Sequence, residues 1–265
     1  MPIIDAHCHI YPEKVAQKAV ESIGAFYSLA MSEGGTCAQL VHAHDEAGIT
    51  HAVVHSVATN PHQVASINTF ISEKAKESGG RFTGLGTLHP DSGDMRGDVE
   101  RLVALGLHGV KLHPDFQRFR LDDEKCMEMY GLCQDLGLPM LLHTGDKRFD
   151  YSNPNRLIPV LKKFPRLTVV GAHFGGWSLW VQAAEALNGY QNLSVDCSSS
   201  LYALSPETAR RLISLYGAER VLFGTDYPMW SPKEELARFD ALKLSDNDRA
   251  LILYQNAAHI YHIAL

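Results

Sequence analysis

Eight short apolar, β-branched runs recur along the 265-residue chain, each followed by a stretch with helical spacing of apolar positions. The first four are PIIDAHCHI (2–10), THAVVHSVA (50–58), RFTGLGTLHP (81–90) and LHGVKLHP (107–114). The last four are LPMLLHTG (138–145), RLTVVGAHFGG (166–176), NLSVDCSS (192–199) and RVLFGTDYP (220–228). Their hydrophobicity is nearly continuous rather than alternating, as expected of parallel strands covered on both faces. Between them, residues 94–106 and 123–137 predict amphipathic helices that end at glycine. Residues 206–217 predict another, with Pro206 at the first helical position after a capping Ser205.

A repeat of about 25 to 35 residues is the length of one βα unit, and eight such units close a (β/α)8 barrel. A doubly wound open sheet is the rival, but no GxGxxG loop follows the first run. The expectation is therefore an α/β protein, a distorted (β/α)8 TIM barrel with a short insertion after strand 1. No low-complexity linker divides the chain, so residues 1–265 read as a single domain. Segment 24–36, with Gly24, Gly34 and Gly35, reads as the loop elaboration, and residues 246–265 as helices covering the barrel's outside.

Composition changes this picture little. With 45% hydrophobic and 20% charged residues the chain is an ordinary globule. A net charge of −6 and a pI near 6.1 argue against an obligate nucleic-acid or anionic-membrane partner. They leave room for a small anionic substrate, because a pocket's local charge can differ from the global sign. Five cysteines without a CxxC pair read as free thiols in a reducing compartment. The opening MPIIDAHCHI has neither a basic stretch nor a long apolar run, so a cytoplasmic protein without a membrane span is expected. A homodimer is the base-rate expectation.

The chemistry gathers where the apolar runs end. His7, His9, His55, His89, Lys111, His113, His143, His173, Asp196 and Asp226 all fall there, at the rim where barrels of this kind carry their active sites. One histidine ending a strand is more often a satisfied rim group, but their recurrence at one rim reverses those odds. Residues i and i+2 of a strand share a face, so His7 and His9 enter the barrel together with Asp5. Two neutral imidazoles side by side favour a shared divalent cation, which a third nitrogen and a carboxylate would complete. His143, His173 and Asp226 offer those groups. Lys111 and His113 share the inward parity of the fourth strand.

Other residues are weaker candidates. For Asp196 a structural hydrogen-bonding role is the better reading, and His55 and His89 read as satisfied rim groups. Trp177 and Trp230 serve equally well as aromatic walls for a planar substrate or as packed loop anchors. Arg118, Arg120, Lys147 and Arg148 offer charge to a substrate carboxylate, although each alone is more often solvated. His42, His44, His51, His62, His108, His259 and His262 read as surface or helix residues.

The motifs DAHCHI, LLHTG, GAHFGG and LFGTDYP, in that order, resemble the amidohydrolase superfamily. GVKLHPDFQRFRLDDE and QNAAHIY extend the resemblance to the amidohydrolase-2 branch, which includes aminocarboxymuconate-semialdehyde and hydroxybenzoate decarboxylases and lactone hydrolases. The resemblance implies that His7, His9, His143 and Asp226 are metal ligands and that His173 is catalytic or polarises the substrate beside the metal. Zinc is the expected ion and manganese the alternative. Binuclear members of the superfamily carry a carboxylated lysine between two ions at the place of Lys111. Here an unmodified, charged Lys111 is expected to bind substrate with His113, Trp177, Trp230 and Arg148, and a second ion through carboxylated Lys111 is the alternative. The expected function is a metal-dependent hydrolase in which a metal-activated water, deprotonated by Asp226, attacks a small carboxylated or cyclic, lactone-like substrate. Non-oxidative decarboxylation at the same site is the alternative, and a metal-binding barrel without turnover stands third.

Overall fold

A computed structural model describes residues 1–264, and Leu265, the end of the predicted tail, lies outside the described residues. The elements run β1 (Ile4–His9), α1 (Glu13–Tyr27), α2 (Cys37–Ala47), β2 (His51–His55), α3 (Val64–Glu77), β3 (Phe82–Gly84), α4 (Met95–Ala104) and β4 (Val110–Leu112). There follow α5 (Pro114–Gln117), α6 (Met127–Asp135), β5 (Met140–Leu142), α7 (Pro154–Lys163), β6 (Val169–Gly171), α8 (Trp180–Leu187) and β7 (Leu193–Asp196). The chain closes with α9 (Pro206–Tyr216), β8 (Val221–Leu222), α10 (Pro232–Asp240), α11 (Asp246–Ala250), a π-helical turn (Leu251–Gln255) and α12 (Asn256–Tyr261).

The strands pair in parallel as β1-β2-β3 and β4-β5-β6-β7-β8. Single bridges, Gly86 to Val110 and Cys8 to Tyr227, join the two arcs, so the chain forms a (β/α)8 barrel with two thin seams. The regular strands are shorter than the apolar runs that announced them, because the runs continue into strand-end loops carrying polar groups.

Period two along each strand sorts the side chains. Val54, Val110, Leu112, Met140, Leu142, Val169 and Val195 pack outward under the helices. Ile4, Ala6, Val53, Leu85, Leu141, Val170 and Leu222 fill the barrel interior. Both layers are apolar, which is why the runs show no alternation.

Four expectations are corrected. The tail does not merely coat the outside: Ala257 and Tyr261 of α12 join the interior cluster and plug its lower end. Segment 24–36 is not all loop, since α1 runs to Tyr27 and includes Gly24. A Cβ on Gly24 would stand 2.9 Å from the carbonyl oxygen of Leu29, so glycine there lets the chain fold back tightly on the helix. And Asp5 does not share the face of His7 and His9. The β1–β2 register slips between Asp5 and Cys8, so Ile4, Ala6, His7 and His9 turn inward and Asp5 turns out toward α2. There it meets His44, a helix residue as expected, here on the wholly buried face of α2. His51 is also buried, its Nε2 bonded to Thr83 Oγ1 at 2.9 Å.

Glu235 on α10 is fully buried; Arg238 bonds one carboxyl oxygen and Oε2 has no partner. Burial pushes this carboxyl up from 4.5 to about 7, against the pull of Arg238. The folded state therefore holds the proton more tightly than the unfolded chain, so the contribution is full below about pH 4.5 and lost as pH rises through 7. Glu235→Gln is expected to gain on the wild type by on the order of 1–3 kcal/mol between pH 5 and 8 in urea unfolding. A constant difference between the two proteins over that range would refute this.

Candidate metal centre

Seven polar groups from five strand ends line one pocket of about 30 Å3: His7, His9, Lys111, His113, His143, His173 and Asp226. Its apolar wall is Ile23, Tyr27, Met31, Phe116, Pro228 and Met229. The sequence reading placed these polar residues at one rim, and the fold brings them into one cavity.

The proton positions on the histidines follow from their partners. His7 Nδ1 lies 2.9 Å from Asp196 Oδ2, an acceptor, so Nδ1 carries the proton and Nε2 is bare. That bare nitrogen stands 3.3 Å from His9 Nε2 and 3.3 Å from Asp226 Oδ1, and His9 Nε2 is 3.4 Å from the same oxygen. These three potential ligand atoms form a nearly equilateral triangle. Burial pushes His9 down to about 4, leaving it neutral at physiological pH. Burial opposes ionisation of Asp226, but the surrounding imidazoles, His7 foremost, hold its carboxyl well below the usual range. Ser199 Oγ donates to Asp226 Oδ2 at 2.5 Å, which turns Oδ1 toward the histidines.

Asp196 fixes two sides of the pocket at once. Beyond His7 it accepts the backbone N–H groups of His173 and Ser198 on Oδ1, both at 3.0 Å. His173 and Asp226 each adopt φ of +60°, a left-handed conformation that side chains other than glycine seldom take. Asp196 holds the first of these turns. Gly145, with φ of +78°, lets the loop after β5 pass the β6 loop, since a Cβ there would lie 2.5 Å from Gly176 backbone.

On the far wall, His173 Nδ1 faces the carbonyl of Ser198 at 3.0 Å and so carries the proton, leaving Nε2 bare 3.1 Å from His143 Nδ1. His143 Nε2 is buried without a hydrogen-bond partner, 3.5 Å from Asp115 Oδ2. His113 is sandwiched between Phe116 and His143, with both ring distances 3.8 Å. Its Nδ1 accepts from Phe116 N–H, so Nε2–H donates to Tyr27 Oη at 2.8 Å. The Tyr27 hydroxyl hydrogen is then free to point into the pocket. Burial pushes His113 and His143 well below 6.5 and His173 down to about 4.

These donors fit a divalent ion. Ligands about 2.0–2.1 Å from a tetrahedral ion are roughly 3.3 Å apart, the edge length of the His7–His9–Asp226 triangle. The orphaned nitrogen points the same way. Without a cation, the proton shared between His143 and His173 sits on His143 Nδ1 and leaves Nε2 bare beside a carboxylate. A cation held by the pocket-facing nitrogens lets that proton move to Nε2, facing Asp115. Asp196 and Asp115 would then stand behind His7 and His143 as carboxylates behind metal-binding imidazoles commonly do.

Lys111 is wholly buried, with Nζ 3.1 Å from His7 Nε2. Burial pushes it down to about 8, while Asp226 and Asp196 favour its charge. His55, expected to be a satisfied rim group, is buried with both ring nitrogens unpartnered, its ring 4.4 Å from that of His9. His89 Nδ1 accepts from Asp91 N–H at 3.2 Å.

Three weaker candidates do not line the pocket. Arg148 bonds Asp146 through Nε and Nη2 and the carbonyl of Phe26 through Nη1. Trp177 packs edge-on against Tyr27 at 5.1 Å. Trp230 donates to Ser199 Oγ and stacks on Tyr202 at 4.3 Å. Two residues that spacing did not single out take part instead: Tyr27 lines the pocket, and Asp115 stands behind His143. Asp115 follows GVKLHP directly, whereas no periodic signal marks Tyr27.

A family model described as amidohydrolase matches residues 4–263. Among curated proteins, 2-amino-3-carboxymuconate-6-semialdehyde decarboxylase of Dictyostelium discoideum is 23% identical over 200 residues, 61% of this chain. The match spans about half of that relative, 55% of its length. A dihydroxybenzoic acid decarboxylase from Polaromonas sp. JS666, solved with manganese and 2-nitroresorcinol, superposes with a TM-score of 0.77 at 18% identity over 98% of this chain and 97% of that one. A probable 2-pyrone-4,6-dicarboxylic acid hydrolase from Acinetobacter baumannii, solved with citric acid, gives 0.71 at 19% identity over 99% and 100%. At such identities the structural likeness speaks for the barrel. No helix among the described residues is long and apolar enough to cross a membrane.

Proposed function

We propose a function from the premise that the chain belongs to the amidohydrolase family: it is a metal-dependent hydrolase of a small carboxylated or lactone-like substrate. The observation that carries this reading is the convergence of His7 Nε2, His9 Nε2 and Asp226 Oδ1 within 3.4 Å of one another. These three, with His143, would hold one divalent ion, zinc first and manganese as the alternative. Such an ion supplies Lewis-acid polarisation of a substrate oxygen and acidifies water.

The chain's own groups supply the rest. Asp226, pinned through Oδ2, has Oδ1 available to take a proton from an attacking water. His173, held in its turn by Asp196, offers a bare Nε2 to receive or relay a proton. Tyr27, whose oxygen is occupied by His113, has a hydroxyl hydrogen to give to a substrate oxygen as charge builds there. The Lys111 ammonium, favoured by the Asp226 and Asp196 carboxylates, gives the pocket a positive charge to offer a substrate anion.

A second reading, non-oxidative decarboxylation at the same site, is favoured by the decarboxylases among the similar proteins. The two separate when the metal-loaded protein is given a panel of lactones and aromatic acids. Ring opening without CO2 release is expected. Release of CO2 from an aromatic or enoic acid would replace the first reading by the second, and conversion of neither class would leave a metal-binding barrel.

A further inference from the structure

The polar pocket, at about 30 Å3, has room for one or two waters but not for a substrate ring. Beside it lies a groove of about 1070 Å3 running beneath α1, and the two share His9, Ile23 and Phe116 as lining residues. The groove exists because the insertion after β1 folds as a helix and arches over the β2 and β4 ends. Val15 and Phe26 of α1, Ile67 and Phe70 of α3, and Phe149 give it an apolar surface. Val15 and Phe149 are 41% and 38% exposed, two of the five large apolar side chains left in solvent among the described residues. Scattered exposed apolar residues need no explanation, but two facing one groove continuous with a reactive centre do.

We infer that this groove binds an apolar body of the substrate, of aromatic-ring size or larger, attached to the carboxylate or carbonyl end that reaches the polar pocket. The inference rests on the functional reading above and narrows its substrate class. A compact substrate would have to leave the groove to water, whereas an extended one fills it while its polar end reaches His9.

Calorimetry on the metal-loaded protein with two probes, benzoate and biphenyl-4-carboxylate, tests this. The biphenyl acid is expected to bind at least about tenfold more tightly, from the added apolar area removed from water. Ile67→Asp should bring that ratio near one while metal content and benzoate affinity stay unchanged. Phe149→Asp, at an exposed position outside the core, should do the same and guards against misfolding of the first variant. Equal affinities in the wild type, no binding of either acid, or a ratio that both variants preserve would overturn the proposal. If a second copy of the chain fills the groove instead, neither acid is preferred and the variants change the molar mass in light scattering, which also overturns it. Failure of the functional reading looks different: the protein then holds no metal, or benzoate binds equally with and without it, whatever the ratio of the two acids.

Discussion

Asp226→Ala is expected to leave the purified protein with less than about a tenth of the wild-type metal and to cut turnover by roughly three orders of magnitude. Elemental analysis after growth in zinc or manganese, followed by turnover of whichever substrate class is accepted, checks both. Asp226 is the anionic corner of the triangle with His7 and His9, and its Oδ1 lies 3.3 and 3.4 Å from their Nε2 atoms. It is also a counter-charge for Lys111. Removing it therefore deletes a donor and unbalances a buried ammonium beside the same site. His143→Ala should lose metal as well, and there His173 remains as a neighbouring donor. Full occupancy in either variant would overturn the ligand assignment. Asp226→Asn keeps the bond from Ser199 and nearly the same shape, so a loss of metal in that variant reports charge rather than misfolding.

How much of this was legible in the sequence depends on whether period or register carried the information. The eight apolar runs are written in period, and all eight fold as strands of one barrel. So is the common inward parity of Lys111 with His113. Register is another matter. The slip between Asp5 and Cys8 is a property of how β1 meets β2, and no local pattern in DAHCHI marks it. It turns Asp5 into an outward anchor that accepts N–H from His7 and Thr225 and bonds His44, tying together the strands that carry His7 and Asp226. The chemistry of α1 was hidden for a different reason. Gly24 is a loop signal in the sequence, yet it lies inside α1, whose last residue, Tyr27, meets His113. Distance along the chain from strand ends points to Arg148 and the two tryptophans but carries nothing of what binds them. Asp146 and Ser199, which claim two of them, come from other positions in the same loops or from the neighbouring strand.

Lys111→Met is expected to raise metal affinity by about ten- to a hundredfold while lowering turnover of an anionic substrate by a similar factor. In the metal-free pocket the Lys111 amine is within hydrogen-bond reach of His7 Nε2, the lone pair that a metal would need. Binding must break that contact and then place a divalent charge near an ammonium, although Asp226 screens part of the repulsion. Methionine fills similar space, removes the competitor and the charge together, and leaves an apolar chain in a site with no exposure. The cost appears in turnover, because the substrate anion loses its buried counter-charge. Metal titration against a competing chelator separates the two effects. A carboxylated Lys111 bridging two ions gives the opposite result: the substitution would then weaken metal binding and reduce the stoichiometry from two ions per chain toward one. The sign of the change in affinity therefore decides whether the lysine of GVKLHP opposes the metal or helps to hold it.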